Sequence, residues 1–256
     1  GGAGGYRTAT IADMALDTTF TVTVGAGGAA VADHTVGVSG SDSVFSTITS
    51  AGGGGGGCWG SPNIPAVAGG SGGGAGGYPT NNPGAAGNTP STTPSQGNPG
   101  GAGRTGLGTW SDAGGGGGGA SATGANGRNY QAGEGGDGTA IDITGSSVTY
   151  AGGGGGAGHE GYTANGAGGA GGGGPGSYSL GTSGTVNTGG GGGGAERNAP
   201  ATSGAGGSGI VILKIPATHS ATFSGGVTSS LNTGVPDYKV YSITATSDTS
   251  QTVTFS

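Results

Sequence analysis

Uninterrupted glycine is the feature that most narrows what this chain can become. It fills residues 52–57, 114–119, 152–156, 171–174 and 189–194, with shorter or interrupted relatives at 1–5, 25–28, 69–77 and 204–209. Glycine loses more conformational freedom on folding than any other residue. Against 74 Gly in 256 residues the chain sets only 4 Phe and 1 Met, and many of its 30% hydrophobic residues are Ala. Burial in a conventional core does not offset that entropy. Disordered chains carry many charges, whereas only 7% of these residues are charged. The composition points to a tether, a fibre or a glycine-based helix bundle.

The runs themselves favour the bundle. Glycine adopts the polyproline-II shape, with three residues per turn and about 3.1 Å per residue, so a six-residue run spans roughly 19 Å. Such a helix makes no internal hydrogen bonds, and its N–H and C=O groups point sideways. Without side chains, neighbouring helices approach until those groups pair, helped by Cα–H···O contacts. The runs favour five or six residues and are nearly pure Gly, whereas linkers need neither trait and use Ser for solvation. No strict Gly-X-Y period is present, which excludes a collagen triple helix. Ala51, Ala120, Ala151, Ala157, Ala170 and Ala195 flank or interrupt the runs and are expected on the perimeter.

Between the runs lie β-patterned segments. Residues 18–24 alternate apolar and hydroxyl side chains, 42–50 read as a second strand, and 141–143 with 147–150 form a hairpin across Gly145-Ser146. Residues 11–16 are the sole helix-like stretch. After Ser208 come an apolar strand at 209–215 and period-two strands at 221–223, 238–244 and 251–255, a small antiparallel module of roughly four strands. The expected class is mainly β with irregular structure and almost no α-helix. It divides into an opening β segment (1–50), a polyglycine-II bundle with displayed loops (51–209) and a C-terminal β module (210–256). Because the chain opens in mid-motif without Met, it reads as a piece of a longer polypeptide.

Several chemistries are disfavoured. Six Lys and Arg in a chain of net charge -6 form no basic stripe for nucleic acid and no attraction to anionic membranes. The longest apolar run, Ile210-Val211-Ile212-Leu213, falls far short of a membrane span. Cys58 is the only cysteine and reads as a buried free thiol. Glu134 and Asp137 sit in a turn-like Gly-Glu-Gly-Gly-Asp-Gly with no apolar wall to shift a pKa. His159-Glu160 is only a dyad, short of a metal site. No glycine run is followed by the Lys-Ser/Thr of a phosphate loop. No enzyme, cofactor or metal is expected.

The positive signal lies on the polar connectors. Trp59, Tyr78, Trp110, Tyr130, Tyr162 and Tyr178 interleave with Arg104, Arg128 and Arg197. Aromatic and arginine side chains on loops serve as interface anchors or sugar-stacking faces; each aromatic alone reads first as a lid over the bundle end, while some of the set are expected to be exposed. The Pro-rich connector 78–99 is expected as a displayed loop.

Alternation of strand, glycine run and loop, closing with Gly206-Gly-Ser-Gly-Ile-Val-Ile-Leu-Lys-Ile-Pro216, resembles the glycine-rich domain proteins of bacteriophage tails. Gly4-Gly-Tyr-Arg-Thr-Ala-Thr10 and Thr21-Val-Thr-Val-Gly-Ala-Gly-Gly28 are similar to the same family. More distantly, the plan is similar to the polyglycine-II tip adhesins of T-even-type phage long tail fibres, in which a layered sandwich displays variable receptor-binding loops. The β-like N-terminal part and the terminal β module depart from those adhesins. The resemblance implies a non-enzymatic tail-fibre or receptor-binding protein of the virion. Its partners would be a host cell-surface protein or glycan and other tail-fibre or virion proteins. The alternative is a structural subunit of a fibre or extracellular filament, self-associating into a homo-oligomer through β segments. A third reading, an ice-binding protein, lacks a regular Thr ladder.

Overall fold

The structure, a computed structural model, describes residues 1–12, 15–32, 34–58, 64–77, 82–105, 112–159, 161, 163–196 and 201–256. The glycine runs do not trail between folded parts. They lie side by side and hydrogen-bond laterally with a period of three. In run 151–158, Gly152 and Gly155 donate to the carbonyls of Gly171 and Gly174 at 3.0 and 2.9 Å. Gly153 and Gly156 donate to Gly136 and Gly133 at 2.8 and 2.9 Å, and Gly154 donates to Gly1 at 3.0 Å. Every third amide thus reaches the same neighbour, the signature of a three-residue turn without internal bonds. Neighbours run in either sense, since the first pairing is parallel and the second antiparallel.

Residues 1–5 form the hub. Gly5 and Gly2 donate to Ala51 and Gly54 at 2.7 and 2.8 Å, Ala3 to Gly118 at 3.0 Å, and Gly4 and Gly1 to Gly189 and Gly192 at 2.9 and 2.7 Å. In return Ser71 and Gly154 donate to the carbonyls of Ala3 and Gly1, both at 3.0 Å. Five runs therefore surround one. The spacing leaves no room for side chains: a Cβ on Gly117 would overlap the Gly1 carbonyl, and one on Gly53 the Gly2 carbonyl.

Alanine does not keep to the perimeter. Ala51 and Ala151 are buried where β-strands pass into runs, and Ala3, Ala75, Ala113 and Ala132 are buried as well. A methyl therefore fits wherever a register position faces a gap between runs or the handover from strand to helix. At the true perimeter, polar side chains take the outward amides: Asp42 accepts from Gly52 (2.9 Å), Asn126 from Ala102 (2.8 Å), Asp137 from Ala170 (2.8 Å) and Ser203 from Val31 (3.0 Å). Part of the connector 78–99 belongs to the lattice rather than hanging from it. Ala85 donates to Gly73 at 2.9 Å and accepts from Gly100 at 3.0 Å. Gln96, 1% exposed, accepts from the Ala51 amide and donates to the Pro90 carbonyl, each at 2.8 Å.

Among the described residues, ten strands sit at one end of the bundle. β1 (Thr19–Thr23), β2 (Ser43–Phe45), β3 (Ile48–Ser50), β7 (Ala221–Phe223) and β10 (Thr252–Phe255) make an antiparallel sheet ordered β3-β2-β1-β10-β7. β6 (Val211–Pro216), β8 (Val227–Asn232) and β9 (Tyr238–Thr246) make a second, ordered β6-β9-β8, and β4 (Thr139–Ile141) with β5 (Val148–Tyr150) form a hairpin. The alternation in β1 puts Val22 inside and Thr19 and Thr21 outside. Val22, Phe45, Val253 and Phe255 of the first sheet pack on Ile215, Tyr241 and Ile243 of the second. Strands from both terminal segments thus share one sheet and one core. Residues 42–50 fold as a hairpin rather than a single strand, because Ser46 takes a left-handed turn (φ 54°) that pairs Phe45 with Ile48. Ile11, Ala12, Ala15 and Leu16 are not helical, and Asp13 and Met14 lie outside the described residues. Among the described residues no helix occurs. β8, largely exposed, carries too little apolar alternation to be read from sequence.

Replacing Gly117 by Ala should cost about 2–3 kcal/mol, because the methyl meets backbone that has nowhere to move. Gly225→Ala, where nothing lies within 4 Å, should gain about 0.5 kcal/mol through the unfolded state. Denaturant unfolding of the two variants checks the pair.

Candidate functional site

Runs that leave the sheets must turn back at the far end, and one set of turning segments collects there. Backbone bridges join Cys58 to Ile64, Arg104 to Ala113, Ala113 to Gly158, Gln131 to Ala164, Ser177 to Ala195, and Thr202 to both Leu180 and Ala32. The flanks of these connectors thereby form a rim opposite the sheets, whereas the turns around Gln96, Ser121 and Thr188 lie at the sheet end beside Ala51 and Ala151.

Four of the nine candidate residues are described, and all four stand on that rim. Arg104, half-buried, exchanges two backbone hydrogen bonds with Ala113 (2.8 and 3.0 Å) and donates from Nε to Asn129 Oδ1 at 2.9 Å. Arg128 and Tyr130 belong to a tight exposed turn closed by reciprocal bonds between Arg128 and Gln131 at 2.8 and 3.1 Å. Tyr130 holds a left-handed φ of 63° and leaves its side chain 61% exposed. Arg104, Asn129, Arg128 and Tyr130 therefore form one polar–aromatic corner. Tyr178 behaves differently. Its hydroxyl donates to the carbonyl of buried Thr163 at 3.1 Å, so it closes the end of the bundle as a lid. Trp59, Tyr78, Trp110, Tyr162 and Arg197 lie outside the described residues.

The rim also holds groups that spacing alone did not reveal. His159 lies 3.5 Å from Glu196, with side chains only 16% and 9% exposed; the tempting sequence neighbour, Glu160, lies outside the described residues. Asn165 accepts from the Gly158 amide at 2.9 Å, and Gln131 donates to Ala132 and Asn165 carbonyls at 3.1 and 3.4 Å. Asn and Gln recur where a run loses its last neighbour, which is the one signal that could have marked them. Glu134 and Asp137 are exposed, and Asp137 is occupied by the Ala170 amide. No group of three or more His, Cys, Asp or Glu able to hold a metal occurs among the described residues, nor is any described helix long and apolar enough to cross a membrane.

Cys58 is half-buried rather than buried. It lines a cavity of about 810 Å³ together with Asp112, His159 and Glu196 at the rim; the same cavity reaches Tyr6, Tyr150 and Ile212 at the sheet end. Burial pushes the Tyr150 phenol up, and that of Tyr6 is pushed up by burial and by Tyr150 beside it. Glycine backbone of the runs lines part of the cavity wall, alongside the side chains of Ile210, Ile212 and Lys214.

The family model described as a glycine-rich domain matches residues 1–216, and the chain belongs to that family. No curated protein and no solved structure matches it.

The two rim tyrosines should separate in mutagenesis. Tyr178→Phe should lose about 1 kcal/mol with its hydrogen bond, while Tyr130→Phe should leave the melting temperature unchanged, as scanning calorimetry would show.

Proposed function

We propose that the protein is a non-enzymatic recognition scaffold of the phage tail-fibre type, whose glycine bundle is a thin rigid post carrying receptor-binding loops at its far end. One observation carries the reading. Several connectors meet on a rim opposite the sheets, and there the exposed Tyr130 and Arg128 adjoin Arg104 and Asn129. Tyrosine and arginine on a rigid frame supply large contact area and bidentate donors at small entropic cost. A host envelope protein or glycan is the fitting partner, and several weak contacts on repeated copies would add by avidity. The location that goes with this role is the virion or the extracellular space. The resemblance to phage-tail glycine-rich proteins supports the choice of host surface.

A self-associating structural subunit is the second reading. The edges of the β6-β9-β8 sheet favour it, since β8 is exposed from Thr228 to Asn232 and shows Leu231 half to solvent. Such edges recruit further strands. Leu231→Lys would dissociate assemblies of that kind in sedimentation, without touching the rim.

The recognition reading is tested with labelled protein on a panel of bacterial envelopes. The double substitution Arg128→Ala, Tyr130→Ala should keep the melting temperature, as exposed positions do, and lower attachment at least about tenfold, two anchors at roughly 1 kcal/mol each. Unchanged attachment to an envelope that the parent protein binds would sink the proposal.

A further inference from the structure

Lattice register decides which groups the Tyr130 corner offers to solvent. Gly124 donates to Pro99 at 3.0 Å and Gly127 to Ala102 at 2.8 Å, so residues 124–130 travel parallel to 99–105 at a fixed offset. That offset brings Arg104 level with Asn129, whose Oδ1 accepts from Arg104 Nε at 2.9 Å. The turn is held from its other side as well: Ala164 donates to the Tyr130 carbonyl at 3.0 Å, and Ala132 donates to Ala164 O at 2.8 Å. Gln131 sends its amide inward, to the carbonyls of Ala132 and Asn165. What remains free is of one kind. Asn129 Oδ1 is engaged by Arg104, which leaves Nδ2 for solvent; Arg104 keeps both terminal nitrogens; and the Arg128 side chain makes no hydrogen bond or ion pair among the described residues. Asp112 and Glu134, the carboxylates nearest in register, pair with neither arginine. Glu134 sits level with Ala125, one helical turn or about 9 Å back along the run. The free side-chain groups of Arg104, Arg128 and Asn129 are therefore all donors.

We propose that this corner binds an acidic sugar, with its oxyanion held by Arg128, Arg104 and Asn129 Nδ2 and its ring laid on the exposed face of Tyr130. The assignment rests on the recognition reading above and narrows its partner to an anionic glycan. A neutral sugar hydroxyl brings a donor along with each acceptor, and a donor-only site leaves those donors unmet. An ionised carboxylate or phosphate brings acceptors alone. Guanidinium groups match either oxyanion with a two-toothed fork, and the phenol ring supplies an apolar face for the C–H side of a pyranose. Because the flanking runs fix the turn, little conformational entropy is lost on binding. A uronic-type carboxylate and a sugar phosphate monoester present the same chemistry to these donors.

The probes are a galacturonic acid trisaccharide, its fully methyl-esterified form, mannose 6-phosphate and a triglutamate peptide. Each is titrated into the whole chain and followed by NMR at the Asn129 side-chain amide and the Arg104 Nε–H. At least one of the two charged sugars should shift and saturate both signals, and the carboxylate and phosphate arms tell which source is preferred. The methyl ester should bind at least about tenfold more weakly, as the charged sugar should to Arg128→Gln, the loss expected for a charge-assisted pair. Arg128 is exposed, so that variant keeps its fold, which its melting temperature verifies. Silence toward both charged sugars overturns the proposal. So does equal binding of the ester, triglutamate binding as tightly as the sugars, or full affinity in the folded Arg128→Gln. Attachment to envelopes that depends on Arg128 and Tyr130, with no acidic sugar bound, sinks this inference and leaves the recognition reading standing. Acidic sugars bound as described, with no envelope held, do the reverse.

Discussion

Lateral pairing between backbones that carry no side chains is the interaction on which the structure rests. A polyproline-II helix satisfies none of its own amides, so each run is stable only as a member of a set. The cost appears as an exacting geometry: where hub and neighbours meet, a single methyl at Gly53 or Gly117 has only carbonyl oxygen to displace. Each lateral bond is worth about 1 kcal/mol net, and it is their number that holds the lattice together. The sheets supply what glycine lacks. Val22, Phe45, Ile243, Val253 and Phe255 build a conventional core and fix the end from which the runs depart.

Much of this plan was legible because it is periodic at the level of single residues. Run length and purity announced side-chain-free packing, and Thr19 to Thr23 announced its inward Val22 by simple alternation. What stayed hidden was pairing across long separations. Nothing local in residues 1–5 distinguishes the hub from other short runs; it is central because Gly54, Gly118, Gly154 and Gly192 all converge on it. Likewise Thr19 pairs with Thr254, a partner at the other end of the chain. Gln96 looked like one polar residue in a proline-rich loop, and burial against Ala51 is a property of the assembled lattice.

The rim shows the same division. Polar connectors with aromatic and arginine residues were visible as a class, but their roles depend on where the turn points the side chain. The left-handed backbone at Tyr130 swings that ring into solvent, whereas the hydroxyl of Tyr178 turns inward to Thr163. No composition rule separates two tyrosines in glycine-rich turns. The carboxylate partner of His159 is Glu196, brought close only by run packing.

The perimeter carboxylates, amides and hydroxyls have one further consequence. A sheet offers two edges to a neighbour, but a lattice of polyglycine helices can recruit on every side, which makes it an unlimited seed for accretion. Asp42, Asn126, Asp137 and Ser203 each engage an outward amide with a short side chain, as edge strands are blunted in ordinary sheets. These few residues work as terminators. They set the cross-section of the bundle.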